Sequence, residues 1–248
     1  MTRFSFRRPA IVMALAIAIP AISSMTAHAA NLPLPSSCQD IHNHNHHARN
    51  GNYILYDNGN IFTVYCYGMP GTPRAYIDLA ATGANENFSQ YTAGGASPGT
   101  DVRTRFTRLR IDPATMTVDI GDLTVANSTG SLNHGGTTVT SMPYGVAMSC
   151  AGPQTTGGVG NVDLEGTPFQ VDNAFATAGF QAAGSAAVGP DHQVVNLHGG
   201  GFCGWITPAP AMYNPFNPST GQYHLKLSCA QRFLIPRRHQ DQYCVHVG

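Results

Sequence analysis

The sequence predicts an all-β fold, a single sandwich or barrel-like domain with long Gly/Pro-rich loops, braced by disulfides. Three observations predict it. Short β-forming runs alternate with turn signals along most of the chain. Of 248 residues, 27 are glycine and 17 are proline, and no apolar stripe recurs at helical spacing. Six cysteines form an even set, which in an exported chain reads as a disulfide framework. Charged residues make up only 10%, against about 25% in an ordinary globular chain. The surface is therefore built largely from uncharged polar groups. Thirteen basic residues balance thirteen acidic ones, which excludes the broad basic field that nucleic acid requires.

Residues 1–29 read as a secretory signal peptide. Arg3, Arg7 and Arg8 form the positive region, Ala10 to Ile19 an apolar run, and Ala27-His28-Ala29 a cleavage site. Ten apolar residues fall short of the ~20 that span a bilayer, so no membrane span is expected in the mature chain. Losing three arginines leaves ten basic residues against thirteen acidic, a net charge of −3 with histidines neutral. Residues 30–35 form a short leader and 36–228 the folded domain. From 229 to 248 the character changes, with Arg232, Arg237, Arg238 and His239 close together. This tail reads as an appended hairpin, a loose end or an anion-binding patch.

Within the domain, Tyr53–Tyr56 and Ile61–Tyr65 flank Asp57-Asn58-Gly59-Asn60. Two β-formers around an Asn-Gly predict a hairpin, because both central residues favour positive φ. Val102 to Ile111 is β-rich but loses alternation between Phe106 and Leu109, where a bulge is expected. Met116, Val118 and Ile120 alternate with Thr117 and Asp119, and Gly121-Asp122 turns the chain into Leu123–Val125. Further strands are expected at 146–148, 169–171, 194–197, 202–206 and 223–227. Residues 92–100 and 152–160 read as loops. Six cysteines permit 15 pairings. Sequence neighbours are the simplest, giving Cys38–Cys66, Cys150–Cys203 and Cys229–Cys244. Each bridge contributes about 3–5 kcal/mol in the chain-entropy picture.

Several motifs bear on chemistry. Gly95-Ala96-Ser97-Pro98-Gly99 fits G-x-S-x-G, and His198-Gly199-Gly200-Gly201 resembles an esterase oxyanion segment. Pro98 lacks the backbone N–H that would serve the oxyanion, and the glycine segment follows the serine instead of preceding it. Gly199, Gly201 and Gly204 also fit a dinucleotide fingerprint, but Pro208 and Pro210 deny the helix it needs. These glycines are expected to make a tight turn that packs Trp205. His42, His44, His46 and His47 form a dense imidazole cluster. In a strand, His42, His44 and His46 would share a face and could hold zinc, copper or nickel. No histidine is followed by Glu, so the H-E-x-x-H of zinc proteases is absent. Asp101, Asp112, Asp119 and Asp122 lack calcium-loop spacing and read as strand and turn carboxylates. Asn87-Phe88-Ser89 and Asn127-Ser128-Thr129 are glycosylation sequons.

Longer strings carry a resemblance. Cys38-Gln39-Asp40-Ile41, Asn52–Tyr56, Phe62–Cys66 with Gly68-Met69, Arg108–Asp112 and Gly200–Gly204 ahead of Thr207-Pro208 together resemble a GON domain. The resemblance runs from Ser36 to Leu227. GON domains close some ADAMTS-type secreted zinc metalloproteases and occur in exported bacterial proteins. The resemblance implies a secreted module near zinc metalloendopeptidases, whose chemistry belongs to a separate catalytic domain. No catalytic residue carries over to this chain. The histidine cluster and the tail after Leu227 depart from the family pattern. The opening segment is also similar to fibrinogen-like domains, whose members bind sugars or proteins. The expected function is thus a secreted, non-catalytic binding or accessory module with an extracellular protein or glycan as partner. One alternative is a metal-dependent hydrolase using the histidines and zinc. Another is a lectin-like surface using Trp205.

Overall fold

The computed structural model describes residues 34–152, 156–209, 224–230 and 244–246. The expected signal peptide and most of the tail lie outside them. The first element is α1, Cys38–His44. Its start is written in Ser37-x-x-Asp40. The Ser37 side chain accepts from Asp40 N at 3.0 Å, and Asp40 accepts from Ser36 N at 3.1 Å. This helix was not expected, because seven residues with one buried position, Cys38, leave no stripe to read. The Cys38–Cys66 bridge holds it to the sheet.

Strands follow in chain order: β1 Gly51–Asp57, β2 Asn60–Tyr67, β3 Arg74–Asp78, β4 Phe88–Thr92, β5 Val102–Phe106 and β6 Arg108–Asp112. Then come β7 Thr117–Asp119, β8 Ala126–Thr129, β9 Leu132–His134, β10 Thr137–Val139, β11 Ala147–Ser149 and β12 Gly158–Asp163. The last are β13 Phe169–Val171, β14 Phe175–Val188, β15 Val194–Pro208, β16 His224–Cys229 and β17 Val245–His246.

One sheet has the order β1-β2-β3-β6-β7-β16-β13, with β17 added on β2. The β1–β2 hairpin turns through Asn58 and Gly59 at φ +47° and +80°, as the Asn-Gly pair predicts. The sheet is curled until its ends meet. Cys244, next to β17, is bonded to Cys229 at the end of β16, and β17 pairs with β2. Phe62 of β2 packs edge-on against Phe169 of β13 with centroids 5.7 Å apart. The part of the tail that is described is therefore a seam for this sheet.

The second sheet closes more tightly. β15 pairs with β12 through residues 194–199 and with β11 through 204–206. β4 pairs with both β11 and β12, which completes a ring of four strands. β5 and β8 extend it beyond β4. β14 runs along the other edge of β15 for almost its full length. The ring requires backbone to meet backbone. A Cβ on Gly199 would lie 2.0 Å from Ala147 O, and one on Gly158 would lie 2.3 Å from Met148 N. The glycine run is therefore the interior of one strand, where a tight turn was expected, and its role is close approach. β9 and β10 form a separate small hairpin.

Other expectations are corrected. The lost alternation at 106–109 is a change of sheet at Thr107, since β5 belongs to the second sheet and β6 to the first. Leu123–Val125 form no strand, and pairing resumes at Ala126. β12 occupies part of a segment read as loop. β14 carried no signal, because its small residues, mostly exposed, lack alternation.

Asn87 ties the ring to the rest. Fully buried, it donates through Nδ2 to Ala81 O (2.8 Å) and Asp163 O (2.7 Å). Its Oδ1 accepts from Tyr144 OH and Asp163 N, at 2.5 and 2.9 Å. Both amide ends are occupied, so the first sequon has no nitrogen to offer a glycan. Asn127, by contrast, is exposed on β8. In a glycosylating host, glycopeptide mass spectrometry is expected to find glycan on Asn127 and none on Asn87. Gly199→Ala should cost about 3 kcal/mol or more through overpacking. At roughly 2–4 °C per kcal/mol for a chain of this size, the melting temperature should fall by about 6–12 °C. A Cβ at Gly71 meets nothing within 4 Å, so Gly71→Ala should stay within about 0.5 kcal/mol of wild type.

Candidate functional site

The ring strands converge on a buried polar cluster. Tyr91 comes from β4, Ser97 from a turn closed by reciprocal Gly94–Ser97 backbone hydrogen bonds, and His134 from the end of β9. The Tyr91 hydroxyl contacts Ser97 Oγ and His134 Nδ1, and lies 3.1 Å from Cys150 Sγ. His134 Nδ1 is 3.3 Å from Ser97 Oγ and 3.5 Å from Cys150 Sγ. Cys150 is bonded to Cys203 of β15, directly across the β11–β15 pairing. Ser97 and Tyr91 are fully enclosed and His134 nearly so. Burial lowers the His134 pKa below its ordinary value, so the ring is neutral at pH 7. Burial raises the Tyr91 pKa, opposed by its hydrogen bond to Ser97.

This cluster explains G-x-S-x-G without hydrolysis. Ser97 is 0% exposed, and its segment is a turn without the strand-to-helix elbow that presents a nucleophile. Among the described residues, one trio of His, Cys or acidic side chains places its ligand atoms within 4.8 Å of one another: His134, Cys150 and Cys203. Its two sulfurs are already spent on each other.

The other sequence candidates lie elsewhere. α1 ends at His44 and Asn45 caps it in an extended conformation, and the chain beyond brings His46 against His42, with centroids 5.1 Å apart. His44 points its Nδ1 at the Asp40 carbonyl, 2.8 Å away. His47 stays exposed. Among the described residues, His42, His44, His46 and His47 bring no three ligand atoms within 4.8 Å of one another. The spacing of 42, 44 and 46 gathers a ligand set only in a strand, which this segment does not form. Trp205 is a correction as well. It is buried, with its ring over Gly179, where a Cβ would come within 2.6 Å of it. It therefore offers no stacking surface.

The clustered aspartates are held by protein groups. Arg110 Nη1 reaches Asp119 (3.3 Å) and Asp122 (3.5 Å), and Tyr76 OH donates to Asp122 at 3.2 Å. Arg110 and Asp119 border a cleft of about 750 Å³ between α1 and the β3–β6–β7 face. Asp101 accepts from Ala93 N, and Asp112 from Ala114 N.

The exposed apolar feature is the β14–β15 ribbon. Strict alternation would separate Phe180 from Phe202, but positive φ at Gln181 and Gly201 breaks it. The two rings lie 5.9 Å apart, 65% and 41% exposed. Among the described residues, β14 pairs only with β15, and its 14 residues carry no charge and no proline. Phe180 and Phe202 were missed because a lone phenylalanine among alanines and glycines gives no pattern.

The family model for the GON domain matches residues 35–98 and 94–213. In Caenorhabditis elegans, "A disintegrin and metalloproteinase with thrombospondin motifs gon-1" is 26% identical over 203 residues. The match covers 71% of this chain and 9% of that protein, so the chain spans about a tenth of the relative. No solved structure matches the chain.

The neutral His134 generates a pH dependence. With a lowered folded pKa, the folded chain refuses a proton that the unfolded chain binds near pH 6.5. Stability therefore falls as pH drops through that range. Melting temperatures should be lower at about pH 5.5 than at about 7.5, and His134→Gln should reduce that difference.

Proposed function

The chain belongs to the GON-domain family, and on that premise we propose that it is an extracellular accessory module that binds protein. One observation carries the reading: β14 presents an uncharged edge 14 residues long, flanked by the exposed Phe180–Phe202 pair. Sheet edges expose unpaired N–H and C=O groups, and monomeric proteins usually blunt them with lysine, proline or a covering loop. Here, among the described residues, no strand pairs with the outer edge of β14, and two aromatic anchors lie beside it, the arrangement that strand addition of an extended segment uses. The partner of that chemistry is an extended, weakly charged stretch of another extracellular protein.

Three disulfides favour an oxidising compartment. The metalloproteinase named in the relative belongs to that protein, of which this chain matches a small part. An accessory role beside such an enzyme fits a module whose serine and aspartates are already engaged by neighbours. Glycan binding through the same phenylalanines is the competing outcome.

The test compares the wild type with a Phe180→Ser/Phe202→Ser variant and with Ala183→Lys, which places a charge on the edge. Both should keep the wild-type melting temperature within a few degrees, since these positions are exposed or half-buried. Retention on an immobilised extracellular protein fraction should fall about tenfold or more, the loss of roughly 1.4 kcal/mol. Retention by the polysaccharide fraction, or protein retention unchanged in both variants, would overturn the proposal.

A further inference from the structure

The geometry points to a second activity, independent of the binding role: Cys150–Cys203 is a thiol–disulfide exchange site, attacked at Cys203 with Cys150 as the leaving sulfur. The two sulfurs differ in surroundings. Cys150 is 2% exposed and lies 3.1 Å from the Tyr91 hydroxyl and 3.5 Å from His134 Nδ1. Cys203 is half-buried on β15, beside the exposed Phe202. A soluble thiolate approaching from outside therefore meets Cys203.

The step balances as an ordinary exchange. The external thiolate forms a bond to Cys203 Sγ, the Cys150–Cys203 bond breaks, and its electron pair leaves on Cys150 Sγ. The Tyr91 O–H can turn from its resting partner to donate to the new thiolate. With a dithiol, the second sulfur attacks the first and releases Cys203. The dithiol is oxidised to a disulfide, and its two protons end on Cys150 and Cys203. A leaving thiol departs faster when its thiolate is stabilised, and hydrogen-bond donors supply that in a buried place.

An internal comparison sets this bridge apart. Cys38 and Cys66 are both buried, and among the described residues neither sulfur has a hydrogen-bond partner. Among the described residues, Cys229 Sγ has the Asn60 side-chain oxygen beside it, an acceptor that cannot stabilise a thiolate. Among the described residues, Cys150 is the one with a phenol and an imidazole against it. Opening the bridge would also untie β11 from β15 at the end of their pairing.

The experiment treats the folded, full-length protein with reduced glutathione, quenches with iodoacetamide, and maps every cysteine by peptide mass spectrometry. The expected result is glutathione on Cys203 and alkylation of Cys150. In a dithiothreitol time course, Cys150–Cys203 should open about tenfold before Cys38–Cys66. Tyr91→Phe should slow that opening roughly fivefold and leave the rate at Cys229–Cys244 unchanged. Glutathione on Cys150, or on neither residue, would overturn the proposal. So would a Tyr91→Phe effect shared equally by all three bridges. Adduct position in the wild type decides even if Tyr91→Phe fails to fold.

Discussion

The close approach of backbones at Gly199 and Gly158 is the constraint on which the second sheet depends. A side chain at either position would occupy space already filled by β11. Because both are glycine, β11 fits between β4 and β15, and β12 pairs with the same two strands. The four-strand ring follows from that contact. So does the position of Cys150 opposite Cys203, since residues 149 and 204 are partners in the same ladder. The buried Tyr91–Ser97–His134 cluster is in turn what the ring places beside that bridge.

Motifs that look chemical turn out to answer backbone needs. His198-Gly199-Gly200-Gly201 reads as an oxyanion segment, and Gly199, Gly201 and Gly204 as a dinucleotide loop, because both use glycine where backbones must come close. The ring has the same requirement without any ligand. G-x-S-x-G likewise marks a tight turn whose serine points inward. In each case the pattern reports a local geometry correctly and leaves its use open. The elements on either side decide between catalysis and packing.

The legible parts of the fold are those whose signal is local. The Asn58-Gly59 hairpin, the alternation around Val118 and the neighbour pairing of cysteines each depend on a few adjacent residues. What stayed hidden depends on remote partners. Thr107 has no feature that announces a change of sheet, because the groups that hold it, Leu79 N and Val125 O, are remote in sequence. β15 looks like two strands because glycine interrupts its apolar run, and only the ring gives those glycines a reason. β14 has neither alternation nor bulk, and it becomes a strand because β15 offers a long edge. Of the site, Ser97 and Cys150 were visible as residues. Tyr91 and His134 were not tied to them, because Tyr91 lies 59 residues from Cys150 and His134 lies 37 from Ser97.

β15 is therefore the strand on which both proposals rest. Toward the ring it supplies Cys203 to a bridge whose partner sulfur is surrounded by hydrogen-bonding groups. Toward solvent it supplies Phe202, and its neighbour β14 places Phe180 directly opposite Cys203. The two features are adjacent, yet they depend on different bonds. The ribbon is held by a ladder that runs along β14 from Phe175 to Val188 and includes the Phe180–Cys203 pair, while β14 itself contains no cysteine. The bridge fastens β11, on the other edge of β15. Opening it would loosen the ring side while leaving the β14 ladder intact, so redox chemistry at the bridge need not destroy the binding surface. The two proposals thus call on opposite edges of the same strand, and a test of one leaves the other standing.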